Sequence, residues 1–306
     1  MSAVPSRAVV IVGAGRMGAA LYAVARRRGG LPGGRSLRRV GGRDFLANPR
    51  RPRGIARVAW VLALRDADLT AASVTVARVA RPGDAALHLA GMLGPDALDP
   101  LRTVGCAVGS LHPLVAVARG NTGDVCEGGA FTFEGDAGAL REARALVRAL
   151  GGTLIVAGAV DRARYHGGAA LVATGAVAIA QGATALFEAA ITPPPDDWAL
   201  RAAVASLLRS VASNVEAVGA RRALASPLLR DDTDTVARHL AVMPPPAREL
   251  YRAAVSLVLD ALEADGAVKP STVAAARRLV TAGGSSGASA PEARGPLDPA
   301  PPDRVK

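Results

Sequence analysis

Hydrophobic positions along the chain change their period once. From Ala8 to Val12 five apolar, mostly β-branched residues follow one another without a polar break, the pattern of a strand covered on both faces. Glycines interrupt it, and from Ala19 to Arg28 apolar positions recur at helical spacing until Gly29-Gly30 stops them. A second strand is expected near residues 37–42, although Leu37-Arg38-Arg39-Val40 is poor strand material. Val58–Leu64 reads as the next buried strand, followed by a helix to about Val79. Short strands at Ala85–Leu89 and Ala107–Leu111, an apolar run at Ala130–Phe133, a helix from Ala137 to Leu150 and a strand at Thr153–Val156 continue the alternation. Strands alternating with helices predict an α/β fold with a doubly wound parallel sheet. From Asp161 onward only helical periodicity remains, over 162–191, 197–219, 232–242, 246–264 and 270–281, with a break at Pro193-Pro194-Pro195. The expected division is therefore an α/β domain over 1–158, an all-α helical domain over 159–281, and a Gly-, Ser-, Ala- and Pro-rich disordered tail over 282–306.

The segment that breaks the first strand, Gly13-Ala14-Gly15-Arg16-Met17-Gly18, is a GxGxxG turn between a strand and a helix. That context is what makes the motif specific for a Rossmann-type dinucleotide site. The first glycine makes the tight turn, the second lets backbone approach a pyrophosphate, and the third lets helix pack on strand, with phosphate at the helix N-terminus. A tight turn without a ligand is the alternative. An NAD site usually ends its second strand in an acid that binds the ribose hydroxyls, whereas this chain has Gly41, Gly42 and Arg43 there. An arginine suits a 2′-phosphate, so NADP is favoured over NAD, unless Arg43 is one more solvated arginine. Leu64 and Arg65 at the end of the third strand and Gly91 after the fourth complete the expected cofactor contacts.

Charge adds a second distinction between the halves. The formal net charge is +11, and the only lysines are Lys269 and Lys306. Residues 1–65 hold fourteen arginines against one acid, Asp44, so the remainder of the chain carries −2. Such a field attracts an anionic small molecule or nucleic acid. Nucleic acid is the weaker alternative, because no aromatics interleave with the arginines. Half the residues are apolar but only 3% aromatic, a globular composition whose cores are built from small aliphatic side chains. Cys106 and Cys126 stand alone, without metal-ligand spacing, so no metal or disulfide is expected. The short apolar run before the glycines is unlike a secretory signal, and the chain is read as cytoplasmic. Gly167–Phe187 is uncharged and long enough to span a bilayer, but its small residues and Gln181 fit a helix buried against a partner, with no membrane involved.

Further elements carry a family resemblance. Gly109-Ser110-Leu111-His112-Pro113-Leu114, Tyr165-His166 opening a small-residue helix, Leu207-Leu208-Arg209 with Asn214, and Thr235-Val236-Ala237-Arg238-His239-Leu240 together resemble the Rossmann-like proteins whose helical half is called domain of unknown function 2520. The resemblance runs to about residue 281. It implies kinship with pyrroline-carboxylate reductases, ketopantoate reductases and hydroxyacid dehydrogenases, an NADP-dependent oxidoreductase activity on a small-molecule substrate in an interdomain cleft, and a homodimer through the helical domain. The chain departs from the family pattern at His88-Leu89-Ala90-Gly91, where a hydroxyl residue is usual, at Ala225-Ser226-Pro227, and at Arg230-Asp231-Asp232. A non-catalytic dinucleotide-binding sensor or partner-binding dimer is the competing reading.

Hydride chemistry belongs to the cofactor, and the protein must supply a proton donor. Lys269 and Lys306 lie too late in the chain, so imidazole is the next candidate because it titrates near neutrality. His112, expected just after a parallel strand, is the first choice, its alternative being to close that strand. His166 is the second, with a core or interface role as its alternative. Asn214 is expected either to bind a substrate carbonyl or carboxylate or to pack between helices. His88 reads as a buried structural residue and His239 as a surface or dimer residue. No nucleophile elbow, phosphate loop of the Walker type or zinc-protease motif is present.

Overall fold

The strand, turn and helix at the start form as their pattern predicts: β1 (Arg7–Val12) is followed by α1 (Arg16–Arg27), whose buried stripe is Ala20, Leu21, Val24 and Ala25. The computed structural model describes residues 7–120 and 124–282, so the predicted tail lies, beyond Ala282, outside the described residues. The chain divides into two compact units, Met1–Gly175 and Ala176–Lys306.

In the first unit β2 (Ser36–Val40) does form, pairing in parallel with β1 from Ala8–Ser36 to Val12–Val40. It is the edge of the sheet, which is why its arginines are tolerated: Arg38 and Arg39 are exposed, and the guanidiniums of Arg39 and Arg26 lie 5.5 and 5.7 Å from the Tyr22 ring. Then comes α2 (Gly42–Ala47), a short helix that hydrophobic periodicity does not reveal; it exists because Phe45 is buried, 5.7 Å from the Trp60 ring. Next are β3 (Arg57–Leu62), a 3-10 turn over Asp66–Asp68, α3 (Leu69–Ala77), β4 (Ala85–His88) and the one-turn α4 (Asp99–Arg102). They are followed by β5 (Ala107–Pro113), β6 (Ala130–Gly135), α5 (Ala137–Ala149) and β7 (Thr153–Val156).

The sheet order is β2-β1-β3-β4-β5-β6-β7. It is parallel from β2 to β5, as the alternation of strands and helices predicts, with β6 antiparallel to β5 and β7 parallel to β6. A parallel return needs a crossover, usually a helix, and the described residues between β5 and β6 contain none. A correction concerns His112, which lies inside β5, opposite Thr132, rather than after the strand. Both faces of the sheet are covered. Ile11, Val61, Leu87, Leu111, Phe131 and Phe133 pack with α1 and α5, while Val10, Trp60, Leu62, Ala86 and Val108 pack on the side of α2, α3 and α4.

At the amino ends of the strands the Asp84 carboxylate accepts from both Arg51 Nη atoms at 2.5 and 3.0 Å, from Val58 N at 2.8 Å, Arg81 N at 3.0 Å and Trp60 Nε1 at 3.3 Å. This buried charge is retained because its oxygens are filled on every side.

A 29-residue helix, α6 (Arg162–Ala190), runs from the first unit into the second and buries none of its residues. Among the described residues it is the one helix long and apolar enough to cross a bilayer. The second unit continues with α7 (Asp197–Val218), α8 (Thr233–Val242), α9 (Pro245–Ala264) and α10 (Pro270–Thr281). Leu228, Val236, Leu240, Val255, Leu259, Leu262 and Ala276 form its core. Asp196 and Asp232 cap α7 and α8 by accepting from Ala199 N and Thr235 N. Lys269 caps nothing by its side chain but pairs with Asp231 at 2.5 Å.

Candidate functional site

Three glycines leave β1 and begin α1, and each is required for a different reason. Gly13 has φ +139°, and a Cβ there would run into the Ala63 carbonyl oxygen. At Gly18 a Cβ would lie 2.7 Å from the Gly13 carbonyl oxygen and 3.1 Å from Ala63 Cβ, so helix and strand close only over glycine. Gly15 is the opposite case. It has ordinary extended geometry at the N-cap of α1, and no atom lies within 4 Å of where its Cβ would be. No side chain caps α1 and no acid occupies its first turn, so its leading N–H groups face that open space.

A cavity of about 830 Å³ lies there, bounded by Gly13, Gly15, Gly42, Arg43, Leu64 and Arg65 among others. It is large enough for part of a dinucleotide. Ala14 lines it too. The side chains of Arg16 and Met17 turn to structural tasks instead: Arg16 Nη1 donates to Val117 O at 2.6 Å, and Met17 packs on the core by Cys126. Arg65 is exposed and paired with Asp68 at 2.8 Å. At the end of β2 the acid that sequence spacing lacks is only displaced. Asp44 stands in the first turn of α2 with its carboxylate turned back toward Gly41, and does not line the cavity.

A second group of residues gathers at the carboxyl ends of β4 and β5. His88 is fully buried, with Nδ1 accepting from Ala90 N at 3.2 Å and Nε2 donating to Gly94 O at 2.8 Å. Burial pushes its pKa down, and its two hydrogen bonds hold the loop that carries Gly91. His112 Nδ1 lies 2.8 Å from Tyr165 Oη, with the rings edge to face at 5.4 Å. The His112 and His166 ring centroids are 6.2 Å apart. A Cβ on Gly91 would be 2.8 Å from His112 Nε2 and 2.9 Å from His166 Nδ1, so Gly91 serves the imidazoles as well as the strand end.

The near-neutral titration expected of His112 does not hold. Burial pushes its pKa down to about 4, helped by the neighbouring His166 and the Arg162 cation, with Asp66 opposing. Arg162 is held by an ion pair with Glu134, which anchors the first turn of α6 on β6. A cavity of about 750 Å³ opens beside His112, walled by Pro113, Val115, Tyr165, His166, Ala169 and Val172 among others. Next to His112 on the same sheet face, the hydroxyls of Ser110 and Thr132 are buried and have no hydrogen-bond partner among the described residues.

Of the sequence-predicted groups, His112, His166 and Gly91 are thus brought together, and Gly13, Ala14, Gly15, Arg43, Leu64 and Arg65 share one cavity. Asn214 lies on α7 in the second unit, exposed to solvent. His239 also lies there, with Nδ1 at 3.2 Å from Tyr251 Oη. Sequence reasoning gave no role to Tyr165 or to the Arg162–Glu134 pair. The signal was present: positions 162, 165 and 166 share one helical face, and 110, 112, 132 and 134 share one sheet face.

Residues 130–257 match the family model described as a domain of unknown function, DUF2520. Protein TM1727 from Thermotoga maritima is 14% identical, with 84% of this chain and 99% of that one covered and a TM-score of 0.56. The "putative NADP oxidoreductase" BF3122 from Bacteroides fragilis is 16% identical, with 83% and 97% covered and a TM-score of 0.57. A pyrroline-5-carboxylate reductase from Coxiella burnetii is 15% identical, with 90% and 99% covered and a TM-score of 0.51. No curated protein matches the chain. The chain thus shares a Rossmann-like fold with these structures, and its residues 130–257 match the DUF2520 family model.

Proposed function

We propose that the protein is an oxidoreductase that binds NADP, in preference to NAD, at the Gly13–Gly18 turn and catalyses hydride transfer to or from a small molecule held beside His112. The observation that carries this reading is the asymmetry of the three glycines. Two are required by the chain's own backbone, whereas Gly15 is crowded by nothing and faces open space at the N-terminus of α1. A cradle a Cβ would fill, next to free helix N–H groups, suits a pyrophosphate. Arg43, exposed in the first turn of α2 just beyond β2, is the group for a 2′-phosphate. The Bacteroides and Coxiella proteins bear oxidoreductase names, in line with this reading.

When bound, the nicotinamide supplies the hydride. The chain's own residues orient and protonate. With a pKa near 4, His112 is a neutral imidazole at physiological pH, so it acts as an N–H donor toward the reacting atom rather than as a cation. Leu64 packs by Gly42 on the wall of the cofactor cavity. The same reading makes α6 the face of a homodimer: Leu171, Val172 and Val177 are 70, 73 and 59% exposed, and a second copy would cover them.

Fluorescence titration with NADPH and NADH at moderate salt is the test. Saturable binding with NADPH preferred is expected, and failure to bind either would overturn the reading. His112→Ala should lower turnover while leaving cofactor affinity intact. Binding without turnover on any carbonyl or imine substrate would favour the sensor reading, in keeping with Ala90 standing where a hydroxyl residue is usual.

A further inference from the structure

Arg7, Arg57 and Arg141 line one cavity at the amino ends of the strands. Arg7 opens β1 and Arg57 opens β3, and the two are partners in the parallel register. Side chains alternate across a strand, so Arg7 shares the face of Val9 and Arg57 that of Ala59, the face on which α5 packs. Arg141 comes from α5 itself. Arg7 is half-buried, and Arg57 and Arg141 are exposed. The cavity measures about 250 Å³ and has glycine walls at Gly83, Gly105 and Gly138. Among the described residues none of the three arginines forms an ion pair, and their one side-chain hydrogen bond runs from Arg141 Nη1 to Ala137 O at 3.4 Å.

The acids nearby are already engaged. Asp84 turns its carboxylate toward Trp60 on the opposite sheet face, where Arg51 meets it at 2.5 Å. Glu142 is held by Arg35 at 3.1 Å, with both side chains largely buried. Asp136, just before α5, accepts from Val108 N at 2.8 Å and pairs with Arg102 at 3.4 Å. It therefore leaves α5 without a side-chain cap, and the first turn of that helix, which borders the cavity at Gly138, holds no acid. Three positive charges remain. Like charges side by side on neighbouring strands repel, so the register of Arg7 with Arg57 costs stability until an anion lies between them.

We propose that this cavity binds a small polyphosphate of about the size of pyrophosphate, with its oxygens shared among Arg7, Arg57 and Arg141. A guanidinium meets phosphate oxygens two at a time, and a monocarboxylate would leave two of the three charges unmet. The volume lies below the range of drug-sized ligand sites, which excludes a whole dinucleotide. No aromatic side chain borders the cavity to stack a base, which disfavours single-stranded nucleic acid. The bound anion ties β1, β3 and α5 together at the end of the sheet opposite the Gly13–Gly18 turn. The site is independent of the oxidoreductase reading, and nothing is transferred in it.

The test is calorimetric titration of the full chain with pyrophosphate at fixed ionic strength. It compares the wild type with Arg57→Gln/Arg141→Gln, with Gly15→Val and with Arg201→Gln/Arg209→Gln, a pair exposed on α7 that changes the net charge equally. The wild type is expected to bind saturably and the first double variant at least about 100-fold more weakly. Gly15→Val and the α7 pair should keep the wild-type affinity. Pyrophosphate should also raise the melting temperature of the wild type and leave that of the first double variant unmoved. If that variant melts below the wild type in phosphate-free buffer, the Arg57 Nε NMR signal of the wild type decides, and a saturable shift with pyrophosphate is expected. No saturable binding, an Arg57 signal that does not move, or equal weakening by the α7 pair overturns the proposal. Loss of binding in Gly15→Val alone would put the anion at the glycine turn and overturn it too. So would a duplex oligonucleotide that binds more tightly than pyrophosphate and is lost in the first double variant.

Discussion

The two ends of the first unit's sheet hold polar groups in opposite states. At the amino ends Asp84 is filled by Arg51, two backbone N–H groups and the Trp60 indole, and among the described residues Arg51 Nε and, at the start of β2, Ser36 Oγ are left over. At the carboxyl ends Gly15 faces open space, the His112 and His166 imidazoles both lie against Gly91, and the Ser110 and Thr132 hydroxyls are buried without partners among the described residues. Buried polar groups closed on one another hold a structure together. Polar groups left facing a cavity contribute little to folding and are kept for a ligand. The same strands therefore carry a structural end and a working end.

Breaking the structural end should have the largest effect. Asp84→Ala leaves the Arg51 charge buried and unpaired, so denaturant unfolding should show a loss of about 3–5 kcal/mol, while protein that remains folded keeps its NADPH affinity. An affinity loss matching the stability loss would erase the distinction between the ends. Gly15→Val should do the reverse, weakening NADPH binding by about 100-fold or ~2.7 kcal/mol at an unchanged melting temperature, because nothing crowds that position. Gly18→Val, by contrast, should destabilise the fold, its Cβ meeting the Gly13 carbonyl oxygen at 2.7 Å.

Arg43→Ala is a smaller change. It should weaken NADPH binding by about tenfold and leave NADH binding unaltered, since only the 2′-phosphate would lose a partner. The mildest test is pH. The His112 pKa falls from 6.5 to about 4 on folding, so the unfolded chain binds more protons between those values. Its contribution to stability is complete above 6.5 and is lost as pH falls toward 4. His112→Gln should flatten the unfolding free energy across that window, measured as denaturant midpoint against pH. An unchanged slope would mean that His112 titrates normally and belongs with neither end.

Much of the first unit was legible in one dimension. The β-branched run of β1, the glycines after it and the helical stripe of α1 are local patterns, and local periodicity reports burial directly. His112 and His166 were legible as candidates because so few groups in this chain titrate near neutrality. The short helix α2 was not, because it forms around one aromatic contact, Phe45 with Trp60, and has no periodicity of its own. Nor was the reversal at β6, since an apolar run carries no mark of strand direction.

By itself, then, the order of residues determined the strand–glycine–helix opening, the change to helices after Asp161, and which side chains have the chemistry to act. The tertiary structure alone decided that Gly15 faces space while Gly13 and Gly18 do not, and that Gly91 lies against two imidazoles. It also decided that His112 is neutral near physiological pH. The reason is physical: a propensity or a motif is a property of neighbours along the chain, whereas room, desolvation and the field of surrounding charges are properties of neighbours in space.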